Sequence, residues 1–190
     1  MDYELWEAKG AIGWHWANVL PYFQRMENVA GGGPYRGTGG PLHVTRGPES
    51  NPLYHAFVDA AVATGYARSA NMNEVQHEGF GPMEMTVGDG MRASAARVYL
   101  RPALKNPRVR LVTGAMVNRI LFDGKTAVGV EYMRNGRVET VTARREVILS
   151  AGSIMSPVIL KRSGIGPAQE LADHGIPVMQ ASAGVGENLM

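Results

Sequence analysis

The chain has 190 residues, 45% of them hydrophobic, with 24 glycines, 11 prolines, no cysteine and a formal net charge of +2. That length and apolar content suit one ordinary domain or parts of two, and the glycine and proline content favours a loop-rich mixed fold over a helical bundle. Disulfides and thiolate metal sites are excluded, no Lys/Arg run could track a phosphate backbone, and no apolar run approaches the roughly 20 residues that cross a bilayer.

The first segment is dense in aromatic residues: Tyr3, Trp6, Trp14, Trp16, Tyr22 and Phe23. It suits a helix laid against a larger body. The acidic start, Met1-Asp2-Tyr3-Glu4, has no signal-peptide core, so a cytoplasmic chain, at most peripheral to a membrane, is expected. Gly31-Gly32-Gly33 with Gly37, Gly39 and Gly40 reads as a flexible loop, since it lacks the Lys-Ser/Thr of a phosphate-binding loop. Asn51-Pro52 predicts a helix start, because Asn can cap free amides and Pro suits the first helical position. Leu53, Phe57, Ala60 and Ala61 recur at helical spacing as a core face, and Gly65 can end the helix.

From residue 109 the pattern turns to β. Val109–Val112 is a short apolar run, Met116–Phe122 a second, and Val128, Val130 and Tyr132 alternate along a third. Asp123-Gly124 marks a turn, Asn135-Gly136 predicts a hairpin, and Val138–Thr142 follows. Glu146–Leu149 then runs into Ser150-Ala151-Gly152 and a helix over about 153–162. The sequence thus predicts strand, three-stranded meander, strand, glycine turn, helix. The runs at 109–112 and 146–149 read as parallel strands buried on both faces. Ligands of open α/β sheets bind beyond the carboxyl ends of the strands, where Thr113-Gly114 and Ala151-Gly152 fall. By spacing alone, a ligand-bearing turn and a plain strand-to-helix turn fit equally. Ser153 is expected to cap the helix.

The histidines at 15, 43, 55, 77 and 174 are too scattered for metal-ligand spacing. His77 and Glu78 are adjacent, so on an extended segment they point to opposite faces and read as a solvated polar turn. Ser150, Ser153 and Ser163 lack a Gly-x-Ser-x-Gly elbow, which leaves a hydrolase without support.

The run Gly152-Ser153-Ile154-Met155-Ser156-Pro157-Val158-Ile159-Leu160-Lys161-Arg162-Ser163-Gly164-Ile165-Gly166 resembles the second signature of the glucose–methanol–choline (GMC) oxidoreductase family. Gly79–Met83, Asp89–Ser94 with Tyr99-Leu100, Asp123–Glu131 and Gly184–Leu189 resemble further stretches of that family in the same order, nearest to its choline dehydrogenase branch. The resemblance implies an α/β (α+β mixed) fold: a partial FAD-binding Rossmann-like domain with a β-meander crossover, plus part of a substrate domain. It places connecting and substrate-domain elements in 1–108, the FAD-binding part in 109–166, and a return toward the substrate domain in 167–190. The family binds FAD and oxidises a primary alcohol to an aldehyde by hydride transfer to the flavin. Val117 is implied to contact the FAD adenine through its backbone, with Ala151 and Gly152 beside the cofactor.

The chain also departs from the family pattern. It shows no opening strand with Gly-x-Gly-x-x-Gly, only the shorter Gly164-Ile165-Gly166 and Gly184-Val185-Gly186. None of its histidines matches the family's catalytic one, and the sequence reaches Leu189-Met190 just short of where Gln-Asp-His would follow. The expectation is an internal fragment supplying scaffold and FAD contacts, inactive alone, with a small-molecule alcohol as substrate of the intact protein and no nucleic-acid partner. Two rival readings are a non-catalytic piece that packs on a complementing fragment or oligomer, and an independent α/β module that has lost the chemistry.

Overall fold

The aromatic start of the chain folds as two helices, α1 (Asp2–Ala8) and α2 (Trp16–Met26), rather than one. They belong to a computed structural model that describes residues 2–74 and 77–189 and forms two units, Met1–Arg110 and Leu111–Met190. The Tyr3 ring joins the two helices, with centroids 5.1 Å from Trp6, 5.8 Å from Trp16 and 5.9 Å from Phe23. His15 starts α2 by accepting the Ala17 N–H at 3.2 Å.

The glycine run is not a flexible loop. It forms β1 (Glu27–Gly33) and β2 (Arg36–Thr38), an antiparallel pair. Close packing explains the glycines: a Cβ on Gly37 would strike the Gln24 carbonyl, and one on Gly40 the Met26 carbonyl. The end of α2 therefore rests directly on backbone, which side chains would prevent.

β3 (Leu42–Arg46) pairs parallel with β1, and β4 (Glu84–Met85) pairs antiparallel with β3, giving the order β2-β1-β3-β4. Between them lies α3 (Pro52–Ala63), which starts as the sequence predicts: Asn51 Oδ1 accepts the Leu53 N–H at 3.0 Å, with Pro52 at the first position. Its core face differs. Val58 and Ala61 are buried, whereas Leu53 and Phe57 are 74% and 63% exposed. α3 is apolar on more than one side, and periodicity does not tell which side is covered. The short hairpin of β5 (Val87–Gly88) and β6 (Met91–Arg92) leads through a π-helical turn, Ala96–Leu100, into α4 (Arg101–Ala103).

In the second unit the meander has the predicted order: β7 (Ala115–Asp123), β8 (Thr126–Arg134) and β9 (Arg137–Thr142). The β8–β9 turn has Asn135 and Gly136 at φ +51° and +73°, which only such residues adopt readily and which matches the twist of a hairpin. The runs 109–112 and 146–149 depart from the expectation. Neither pairs as a strand among the described residues, and Leu111 and Ile148 are 49% and 78% exposed. A parallel strand needs neighbours to bond its backbone and layers to cover its faces, and no strand among the described residues pairs with either run.

α5 (Gly152–Arg162) packs on β7, and beyond it β10 (Ile165–Gly166) pairs parallel with β11 (Gln180–Ala181) around α6 (Ala168–Asp173). Ser153 does not cap α5. The cap position is Ala151, and its N–H donates to Ser156 Oγ at 3.1 Å. Ser153 lies inside the helix because Gly152 already takes up the turn. Ile120, Ile159 and Leu171 form the buried core of this unit.

Candidate functional site

Val117, Ala151 and Gly152 lie on two elements that pack together, β7 and the start of α5. Val117 is half-buried and pairs with Tyr132 of β8. An irregularity follows it: the register shifts between Val117 and Arg119. β7 is the outer strand of the meander, so its far edge has no strand partner among the described residues.

Ala151 and Gly152 are exposed, and α5 starts without a side-chain cap. Gly152 has φ +85°, and a Cβ built there would meet nothing within 4 Å. The glycine is therefore required by the backbone turn, not by crowding from this chain, and the space beside it is open. Free amides at a helix start favour an anion or the polar edge of a ligand. This exposed, side-chain-uncapped turn fits a nucleotide cofactor approaching the backbone. A separate groove of about 390 Å³, lined by Arg119, Phe122, Ser163 and Met179 among others, includes none of the three residues.

The first unit holds a cleft of about 780 Å³ with Trp16, Phe23 and Tyr35 on its wall. Its floor is an ion cluster that sequence reading missed. Arg36 is buried and binds Glu27 with Nη2 at 2.6 Å and Nε at 2.9 Å, while its Nη1 lies 2.9 Å from Glu84. Asn73 donates to Glu84 at 2.8 Å, and the Gly37 N–H donates to Glu27 at 3.1 Å. Burial pushes the Glu27 carboxyl up, but the bonds from Arg36 and Gly37 outweigh it and hold its pKa below the ordinary value. Hydrogen bonding to Glu27 raises the Arg36 guanidinium against the opposing effect of burial. These carboxylates are engaged by donors, so they are organised as structure rather than as proton acceptors. No local spacing announces the cluster, because Glu84 lies far along the chain from Arg36.

His77 and Glu78 are both exposed. Among the described residues no group of three His, Asp or Glu side chains is placed to hold a metal ion, and no helix is long and apolar enough to cross a membrane.

The mixed α/β chain has the meander, glycine turn and helix in the order that the family resemblance implies, and comparison with known proteins bears out a flavin-oxidoreductase type of fold. Residues 1–190 match the GMC oxidoreductase model throughout. The chain belongs to the GMC oxidoreductase family. It is 52% identical over 189 residues to the oxygen-dependent choline dehydrogenase of Brucella anthropi, covering 99% of this chain and 34% of that protein. The enzyme of the same name from Sinorhizobium fredii is 51% identical with the same coverage. Among solved structures, pyridoxine 4-oxidase from Mesorbium loti superposes with a TM-score of 0.80 at 29% identity, covering 96% of this chain and 36% of that one. An FAD-dependent oxidoreductase from Chaetomium thermophilum gives 0.81 at 28% identity, covering 95% and 34%. The chain spans about a third of the length of the curated relatives it matches.

Proposed function

We propose that this chain is part of an FAD-dependent alcohol dehydrogenase of the choline type, which oxidises a primary alcohol to an aldehyde. The observation that carries this reading is 52% identity to an oxygen-dependent choline dehydrogenase across 99% of the chain. The shared fold with an FAD-dependent oxidoreductase supports the cofactor. Bound FAD would supply the acceptor for the hydride leaving the alcohol carbon. Val117 would hold it through backbone on the outer strand of the meander, and Ala151 and Gly152 would let it approach the start of α5. The 190 residues would act as scaffold and cofactor wall, with no catalytic base of their own.

The same reading makes the remainder of such a protein the partner of this chain. Leu111 and Ile148 are exposed apolar residues on runs of strand-like composition, and added strands would cover them. The test uses the intact protein that contains this segment. Choline with an electron acceptor is expected to give turnover, and Gly152→Val to lower retained flavin absorbance while melting remains cooperative. No oxidation of choline or of simple primary alcohols, or full flavin retention in the Gly152→Val protein, rejects the respective half of the proposal.

A further inference from the structure

Asn135 and Gly136, the two residues between β8 and β9, form the one Asn-Gly pair of the sequence. Both are exposed. Among the described residues, no hydrogen bond holds either the Asn135 side-chain amide or the Gly136 N–H. The flanking Arg134 and Arg137 pair with each other across the turn through their backbones, and neither has a carboxylate partner among the described residues.

The other asparagines are placed differently. Asn51 and Asn106 precede proline, which has no N–H to lose. Asn71 Oδ1 accepts the Asn73 N–H at 2.9 Å, and Asn73 Nδ2 donates to Glu84 at 2.8 Å. Asn18 and Asn28 precede valine, whose branched side chain crowds the amide nitrogen that follows them. Only Asn135 combines a free side-chain amide with a following nitrogen that no side chain shields.

We propose that Asn135-Gly136 is a site of spontaneous deamidation in the folded protein, and that its isoaspartate product loosens β9. Hydroxide takes the Gly136 amide proton, and the nitrogen attacks Asn135 Cγ. A bond forms from that nitrogen to Cγ, the bond from Cγ to Nδ2 breaks, and ammonia leaves. Water then opens the cyclic imide at either carbonyl carbon. One water is taken up and one ammonia released, with no change of oxidation state. Opening on one side gives aspartate, whose carboxylate falls between the two unpaired arginine charges. Opening on the other gives isoaspartate, which adds a methylene to the main chain. A two-residue turn fixes the register of its strands and has no room for that extra atom.

Incubating the full 190-residue chain in mildly alkaline buffer tests this, with a parallel sample unfolded in urea. Cleavage after Glu131 and Glu139 releases the peptide 132–139 for mass measurement. It is expected to exchange NH2 for OH about tenfold faster than any other asparagine-bearing peptide of the folded chain, a difference of about 1.4 kcal/mol in barrier. Gly136→Ala should slow the reaction in urea as well, where strain in the turn plays no part. In the purified isoaspartate form the β9 amides should exchange hydrogen faster than in the unreacted chain, with those of α3 unchanged. Conversion confined to the urea sample overturns the site in the folded protein. An alanine variant that reacts at the wild-type rate in urea overturns attack by the Gly136 nitrogen, and unaltered β9 exchange overturns the loosening.

Discussion

The Ile120 amide donates to Ser163 Oγ at 2.8 Å, joining the middle of β7 to the residue that ends α5. The same hydroxyl donates to the Ile159 carbonyl at 2.6 Å. Ile120 is buried on an outer strand of the meander, and it is Ser163 that takes its N–H. A serine at the end of the family signature therefore supplies the missing acceptor and fixes the helix to the sheet. Ser163→Ala is expected to leave that N–H unmet and cost the second unit about 1–3 kcal/mol. Ser163→Thr, which keeps the hydroxyl, should recover most of it. Urea unfolding of the two variants against the wild type measures both effects, and an unchanged midpoint for the alanine variant would refute the role.

What was legible in the sequence was what neighbouring residues decide. Asn51 and Pro52 shape a helix start within three residues, and Asn135-Gly136 bends a hairpin by itself. The meander follows from its alternation and its turns. What failed depends on residues far apart in the chain. Gly37 and Gly40 look like loop glycines until the end of α2 is seen against them. Val109–Val112 and Glu146–Leu149 have strand composition, yet strands form only against partners. The signature run marked the glycine turn at Ala151-Gly152, while the bridging task of Ser163 and the Lys161–Glu170 pair emerged only from the fold.

Arg36 is the residue whose loss should damage the first unit most. It is buried between Glu27 and Glu84, so removing it leaves two carboxylates facing each other with their main donor gone. Arg36→Met is expected to cost about 3–5 kcal/mol, the range for breaking a buried pair from one side. Arg36→Lys should recover little, because an ammonium cannot reproduce the forked contact with Glu27. Thermal unfolding of the chain compares the two. A lysine variant as stable as the wild type would show that charge alone suffices.

Acid should weaken the first unit through Glu27. Its folded pKa lies below the ordinary 4.5, because donors from Arg36 and Gly37 overcome the opposing effect of burial. A carboxyl depressed on folding contributes stability that is present above its unfolded value and is lost as pH falls through its folded value. Below about 4.5 the wild type should therefore lose stability with falling pH more steeply than Glu27→Gln, which has no proton to gain there. Urea midpoints measured for both proteins from neutral to acid pH test this. Parallel curves would mean that Glu27 is not the titrating group.

The isolated chain is expected to turn over no alcohol, even with FAD added. Removing a proton from an alcohol as hydride departs calls for a base within hydrogen-bond reach, held at a useful pKa. Four of the five histidines make other contacts. His15 caps α2, His55 stacks on Tyr54 with ring centroids 5.4 Å apart, and His174 Nδ1 meets the Glu170 carbonyl at 2.9 Å at the end of α6. His43 packs so closely on Gly88 that a Cβ there would stand 2.7 Å from it. His77 is exposed. The paired carboxylates of the first unit are already engaged by Arg36, Gly37 and Asn73. Anaerobic mixing of the pure chain, FAD and choline should therefore leave the flavin absorbance unbleached, whereas the intact protein should bleach it. Bleaching by the isolated chain at a rate that depends on choline concentration would show that these 190 residues contain a working base.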